Sequence, residues 1–146
     1  MIHDFQITEK YSIIPDLPLE FNPQRGIRFN HSIYKFQAES VTRYGFLSRE
    51  TFNSDETIWI ETEPHFVFHY VNCWDEVNNE GEELVVAFAP LNPNYDFEFK
   101  GEIPFNRKNF YADLVKLTFN LTKKTYTKDV LTSDMNVEFP TINPEF

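Results

Sequence analysis

A chain of 146 residues suits one domain, and its 41% hydrophobic content with 16 phenylalanines is too apolar for a disordered tail. With 13 basic against 23 acidic side chains the net charge is −10, which sets the bulk field against nucleic acid and anionic membrane as partners. No apolar run approaches the roughly 18 residues of a membrane span. The single cysteine, Cys73, excludes an internal disulfide and is expected to be a buried small hydrophobe rather than a nucleophile.

The opening residues, Met1 to Gln6, lack the basic start and apolar stretch of a secretory signal, so the expected compartment is intracellular, cytoplasm or plastid. Four glycines, nine scattered prolines and no low-complexity tract leave one domain over residues 1–146.

Taken in chain order, Tyr11-Ser12-Ile13-Ile14 and Ser32-Ile33-Tyr34-Lys35-Phe36 are short β-favouring runs. Thr57 to Ile60 and Phe66 to Val71 form a second pair about a turn at Glu63-Pro64-His65. An acidic loop from Trp74 to Glu83 leads into the apolar run Leu84 to Phe88, and only Lys108 to Leu114 has a helical look. Val115, Leu117, Phe119 and Leu121 then alternate with Lys116, Thr118, Asn120 and Thr122, which predicts a strand with one wet face and a hairpin into Thr125-Tyr126-Thr127. Many short strands adjacent in sequence make the chain all-β, as a sandwich, barrel or propeller.

There are four histidines: His3, His31, His65 and His69. On a strand His65 and His69 stand about 13 Å apart, too far to share an ion. His31 is expected at the surface, and the Asn30-His31-Ser32 and Asn120-Leu121-Thr122 sequons are assigned to chance. Cys73 has no reason to meet His69 on a strand, and the acidic group Asp75, Glu76, Glu80, Glu82 and Glu83 lacks calcium-loop spacing, so a solvated turn is expected there.

The opening His3-Asp4-Phe5-Gln6-Ile7-Thr8-Glu9-Lys10-Tyr11, followed by Ile14-Pro15-Asp16-Leu17-Pro18-Leu19, resembles the His-Asp-Phe-x-Ile-Thr segment of the carotenoid cleavage oxygenases. Arg43 to Arg49, Phe68 to Glu76 and Glu138 to Pro144 follow in that family's order, so the resemblance covers nearly the whole chain. It implies a piece of a seven-bladed β-propeller, two to three blades, in which four histidines from different blades hold Fe(II) with glutamates behind them. His3 then matches an iron ligand. Glu138 matches an orienting carboxylate, assigned to His3, where it would fix the ring's tautomer and raise its basicity. His69 is expected to be structural, hydrogen-bonded inside a blade. The implied chemistry is oxidative cleavage of a C=C bond in a carotenoid or apocarotenoid by O2 to carbonyl products, with peripheral membrane contact in the full-length protein and no nucleic acid.

Cys73, Ser48 and Gln6 depart from the family's usual alanine, proline and small residue, and only Gln6 is expected near the iron. The same resemblance implies that the other iron histidines lie outside this chain, which by itself is expected to be poorly folded and inactive. The competing reading is a non-catalytic β-domain that binds an apolar ligand or protein partner through its aromatics.

Overall fold

Alternating apolar residues and short polar turns resolve the chain into two antiparallel four-stranded meanders. The computed structural model describes residues 2–29, 31–93, 111–132 and 135–143. The first sheet is formed by β1 (Gln6–Ile7), β2 (Tyr11–Asp16), β5 (Thr42–Ser48) and β6 (Ile58–Thr62), adjacent in that order. Between β2 and β5 the chain leaves the sheet as an excursion made of β3 (Leu19–Phe21), α1 (Pro23–Phe29) and β4 (Tyr34–Phe36), with β3 and β4 paired to each other. The second sheet runs without interruption through β7 (Asn72–Val77), β8 (Glu83–Leu91), β9 (Asp113–Asn120) and β10 (Thr125–Val130). Each sheet is a propeller blade: four strands laid down from the inside outwards.

The two blades share one core. Ile13, Tyr44, Phe46 and Ile60 from the first meet Val85, Ala87, Ala89, Val115, Leu117 and Phe119 from the second. The alternation seen at residues 115–121 is realised, since Val115, Leu117, Phe119 and Leu121 are all buried. Phe119 sits at the seam, its ring centre 4.9 Å from Tyr44 and 5.1 Å from Phe46. At the outer edge Lys128 of β10 pairs with Glu63, and Tyr126 Oη accepts from the Glu63 backbone N–H.

Three expectations about local structure are corrected. Phe66 to Val71 is not a strand. Phe66 makes an isolated bridge with Asn92, and the strand starts only at Asn72. The expected acidic loop therefore begins later, because Trp74, Asp75 and Glu76 pair with Val86, Val85 and Leu84 while the turn is confined to the residues around Asn78 to Glu82. A strand can carry acidic residues where alternate side chains face water. The helical stretch expected at Lys108 to Leu114 lies partly outside the described residues, and its Asp113 and Leu114 begin β9. Helix α1 went unpredicted, although Pro23 at its first position is a recognised start signal.

His65 behaves as a core residue. Its Nε2 lies 2.8 Å from Tyr44 Oη and its Nδ1 2.9 Å from the Glu63 carbonyl, so Nδ1–H donates to the carbonyl and Nε2 accepts from the phenol. Burial pushes its pKa down to about 4. A histidine depressed in the fold contributes stability above its unfolded pKa of about 6.5 and loses it as pH falls through the folded value, a total of about 3 kcal/mol. Urea midpoints should therefore fall between pH 7 and pH 5, before most carboxylates protonate. A stability that stays flat over that range would contradict the buried neutral imidazole.

Candidate metal centre

The inner edges of the two blades lie side by side in a constant register of 66 residues. Asp4 Oδ2 accepts from the Tyr70 N–H at 3.0 Å, Gln6 Nε2 donates to the Asn72 carbonyl at 3.1 Å, and Cys73 Sγ donates to the Ile7 carbonyl at 3.2 Å. One step further along the same register, His3 faces His69, with their Nε2 atoms 3.3 Å apart. Each histidine stands three residues before the innermost strand of its blade, β1 or β7.

The segment carrying His69 is fixed on both sides. Phe66 exchanges backbone hydrogen bonds with Asn92 at 2.8 and 2.9 Å, and the Val71 N–H donates to the Phe88 carbonyl at 2.8 Å. Glu138 arrives on a tail tied to the start of β9, where Asn136 Oδ1 accepts from the Ala112 N–H and the Val137 N–H donates to the Ala112 carbonyl. Its Oε2 lies 2.7 Å from His69 Nδ1 and also accepts from the Phe139 N–H at 2.9 Å.

The assignment of Glu138 to His3 is thus corrected: its carboxylate meets His69. His69, expected to be structural and hydrogen-bonded inside a blade, makes its hydrogen bond to this carboxylate on the tail after β10. Donation of Nδ1–H to Glu138 leaves the lone pair of a neutral His69 on Nε2, the nitrogen that faces His3. A carboxylate on one imidazole nitrogen is the kind of partner found behind metal-binding histidines, and here the other nitrogen faces His3 Nε2 at 3.3 Å.

The two ring centres lie 5.1 Å apart with the planes inclined at 77°. Imidazole nitrogens suit first-row transition metals, Fe(II) included, and disfavour Ca and Mg.

Among the described residues no cluster of three or more metal-ligating side chains occurs. Aromatic rings flank the pair: Phe68 meets His3 edge-on at 5.7 Å and Phe139 lies 4.9 Å from the His69 ring. Gln6, expected near the metal, is buried and spends its amide on Asn72. His65 is directed into the core, His31 is half-buried in the loop after α1, and Cys73 is half-buried with its thiol pKa pushed by burial up to about 11. Sequence reasoning did not foresee that His69 faces His3; the available signal was its 66-residue offset from His3, with a side-chain amide three residues on in both places, Gln6 and Asn72.

Known proteins agree with this architecture. Over 147 aligned residues the chain is 35% identical to a carotenoid 9,10(9',10')-cleavage dioxygenase of Crocus sativus, covering all of this chain and 26% of that protein. It is 28% identical to a chloroplastic 9-cis-epoxycarotenoid dioxygenase of Arabidopsis thaliana, again over all of this chain and 24% of the relative. Among solved structures, cobalt-substituted Synechocystis apocarotenoid oxygenase superposes on 99% of this chain and 30% of its own, with a TM-score of 0.72 at 20% identity. A lignostilbene dioxygenase of Pseudomonas brassicacearum superposes on 90% of this chain and 27% of its own at a TM-score of 0.66. These folds are seven-bladed β-propellers, of which the chain forms part, and it spans about a quarter of the length of its curated relatives. The retinal pigment epithelial membrane protein family model matches residues 1–146, and the chain belongs to that family, the carotenoid cleavage oxygenases.

Proposed function

We propose that this chain is part of an Fe(II)-dependent dioxygenase that cleaves a C=C bond of a carotenoid or apocarotenoid with O2, and that His3 and His69 supply two of the nitrogens that hold the iron. The observation that carries this reading is the convergence of the two Nε2 atoms with Glu138 behind His69. The cobalt in the Synechocystis relative and the carotenoid named for the Crocus relative support it. When bound, Fe(II) supplies the O2 chemistry that splits the double bond into two carbonyls.

The side chains have separable tasks. Glu138 holds the proton on His69 Nδ1, which keeps Nε2 available as a donor nitrogen. Asp4 holds the N-terminal segment to the backbone at Tyr70, which keeps His3 in register with His69. Phe68 and Phe139 present apolar rings around the pair, the surroundings that a polyene requires. Glu138→Gln should weaken Fe(II) or Co(II) binding roughly ten- to a hundred-fold. Titration calorimetry on the full chain measures this, and unchanged affinity would remove Glu138 from the centre.

Peripheral membrane contact belongs to the same proposal and is best supported at the excursion between β3 and β4. There Phe21, Ile27, Phe29 and Ile33 are exposed, Ile27 at 85%, beside Arg28 and Lys35. Residues 21–36 hold no acidic side chain although the whole chain carries −10, so this apolar face is also locally basic and suits an anionic lipid surface. Ile27→Glu should reduce co-sedimentation with phosphatidylserine vesicles without lowering stability, and equal sedimentation would argue against the contact. The chloroplastic relatives support a plastid location.

A further inference from the structure

We propose that Tyr44 and His65 form a redox site in the core, where a one-electron oxidant converts Tyr44 to a neutral phenoxyl radical while its proton moves along their hydrogen bond to His65. The proposal does not rest on the metal reading above. The tautomer of His65 is dictated by its surroundings. Its Nδ1 lies 2.9 Å from the Glu63 carbonyl, which can only accept, so the ring proton sits there and the Nε2 lone pair faces the Tyr44 hydroxyl at 2.8 Å. Burial holds the imidazole neutral, with its pKa pushed down to about 4, and pushes the Tyr44 phenol far above its ordinary range. The pair is thus a protonated phenol aimed at a free base, and each residue is only 1% exposed.

Loss of an electron alone would leave a phenol radical cation, a charge that an apolar interior disfavours and a far stronger acid than imidazolium. Proton transfer relieves it: the Tyr44 O–H bond breaks, an N–H bond forms at His65 Nε2, and the electron passes to the oxidant. The oxidant class is an oxygen-centred radical, which gains that electron, and return of an electron reverses both transfers. The imidazolium is held by the Glu63 carbonyl and by the field of the Glu63 carboxylate, which opposes that of Lys128. Packed rings connect the site to the surface. The Phe119 ring is 4.9 Å from Tyr44 and 6.3 Å from Tyr126, which is half-buried at the outer edge. A second buried phenol hydroxyl, that of Tyr70, lies against Tyr44.

Flash oxidation of the full chain with photogenerated tris(bipyridine)ruthenium(III), followed by freezing and electron–nuclear double resonance, tests the proposal. The wild type should trap a tyrosyl radical coupled to one exchangeable proton, and isotope-labelled histidine should reveal a nitrogen coupling to the same radical. Tyr44→Phe should lose both couplings, although its surface tyrosines still oxidise. Tyr11→Phe, which removes a phenol bonded to the Glu83 carboxylate and not to a nitrogen, should keep them. A labelled wild-type radical with no nitrogen coupling would overturn the proposal, as would a coupling that persists in Tyr44→Phe, and either result would make the pair a structural hydrogen bond. The labelled wild type decides the matter by itself should Tyr44→Phe fail to fold.

Discussion

His69→Ala is expected to abolish metal binding as completely as His3→Ala, and the double substitution to be no worse than either single one. On the proposed reading, two nitrogens 3.3 Å apart would act on an ion as a chelate, so removing either would leave a lone imidazole competing with water. The loss should exceed the ten- to a hundred-fold typical of removing a carboxylate behind a ligand, the effect expected for Glu138→Gln. Co(II) titration of the full chain followed by its electronic spectrum separates these cases, because each nitrogen ligand changes the absorption. If His69→Ala kept wild-type affinity and spectrum while His3→Ala lost both, His69 would be a structural neighbour of the ligand and not a ligand.

The second large effect is on stability. Phe119→Ala should cost about 3–5 kcal/mol, the range for truncating a fully buried aromatic. The reason for expecting the upper part of that range is its position. The ring contacts Tyr44 and Phe46 of the neighbouring blade and Tyr126 of its own, so its removal opens the seam on which both sheets depend. Denaturant unfolding of the wild type and variant measures it. A cost below about 1 kcal/mol, the size of a typical surface-like substitution, would mean that the blades do not pack through this seam.

The sequence and the tertiary structure contributed different things, and the division follows from the range of the forces involved. Alternation at Val115, Leu117 and Phe119 depends only on side chains pointing to opposite sides of a strand, so β9 and its hairpin with β10 were legible from neighbouring residues. Where that signal was absent, local reading failed. Phe66 to Val71 is as apolar as a strand, yet it serves as a connector because its hydrogen bonds go to Asn92 and Phe88 across the blade. The acidic side chains of Asp75 and Glu76 disguised β7: Glu76 lies on the strand's exposed face, whereas Asp75 points to the other face, where its Oδ2 accepts from the Lys10 N–H.

The candidate site divides in the same way. His3 and Glu138 could be named from their motifs because those motifs are contiguous in the chain. Which histidine Glu138 serves could not, because its carboxylate meets a side chain 69 residues away, through contacts that exist only when the tail after β10 is tied to the start of β9. His69 on its own was indistinguishable from a core histidine such as His65, which shares its aromatic and β-branched surroundings. By itself the sequence determined an all-β chain, its family resemblance and one of the two converging histidines. The second histidine, the partner of Glu138 and the left-handed Phe139 were decided by tertiary structure, because the register between two inner blade edges is set by packing of the whole seam and not by any short run of residues.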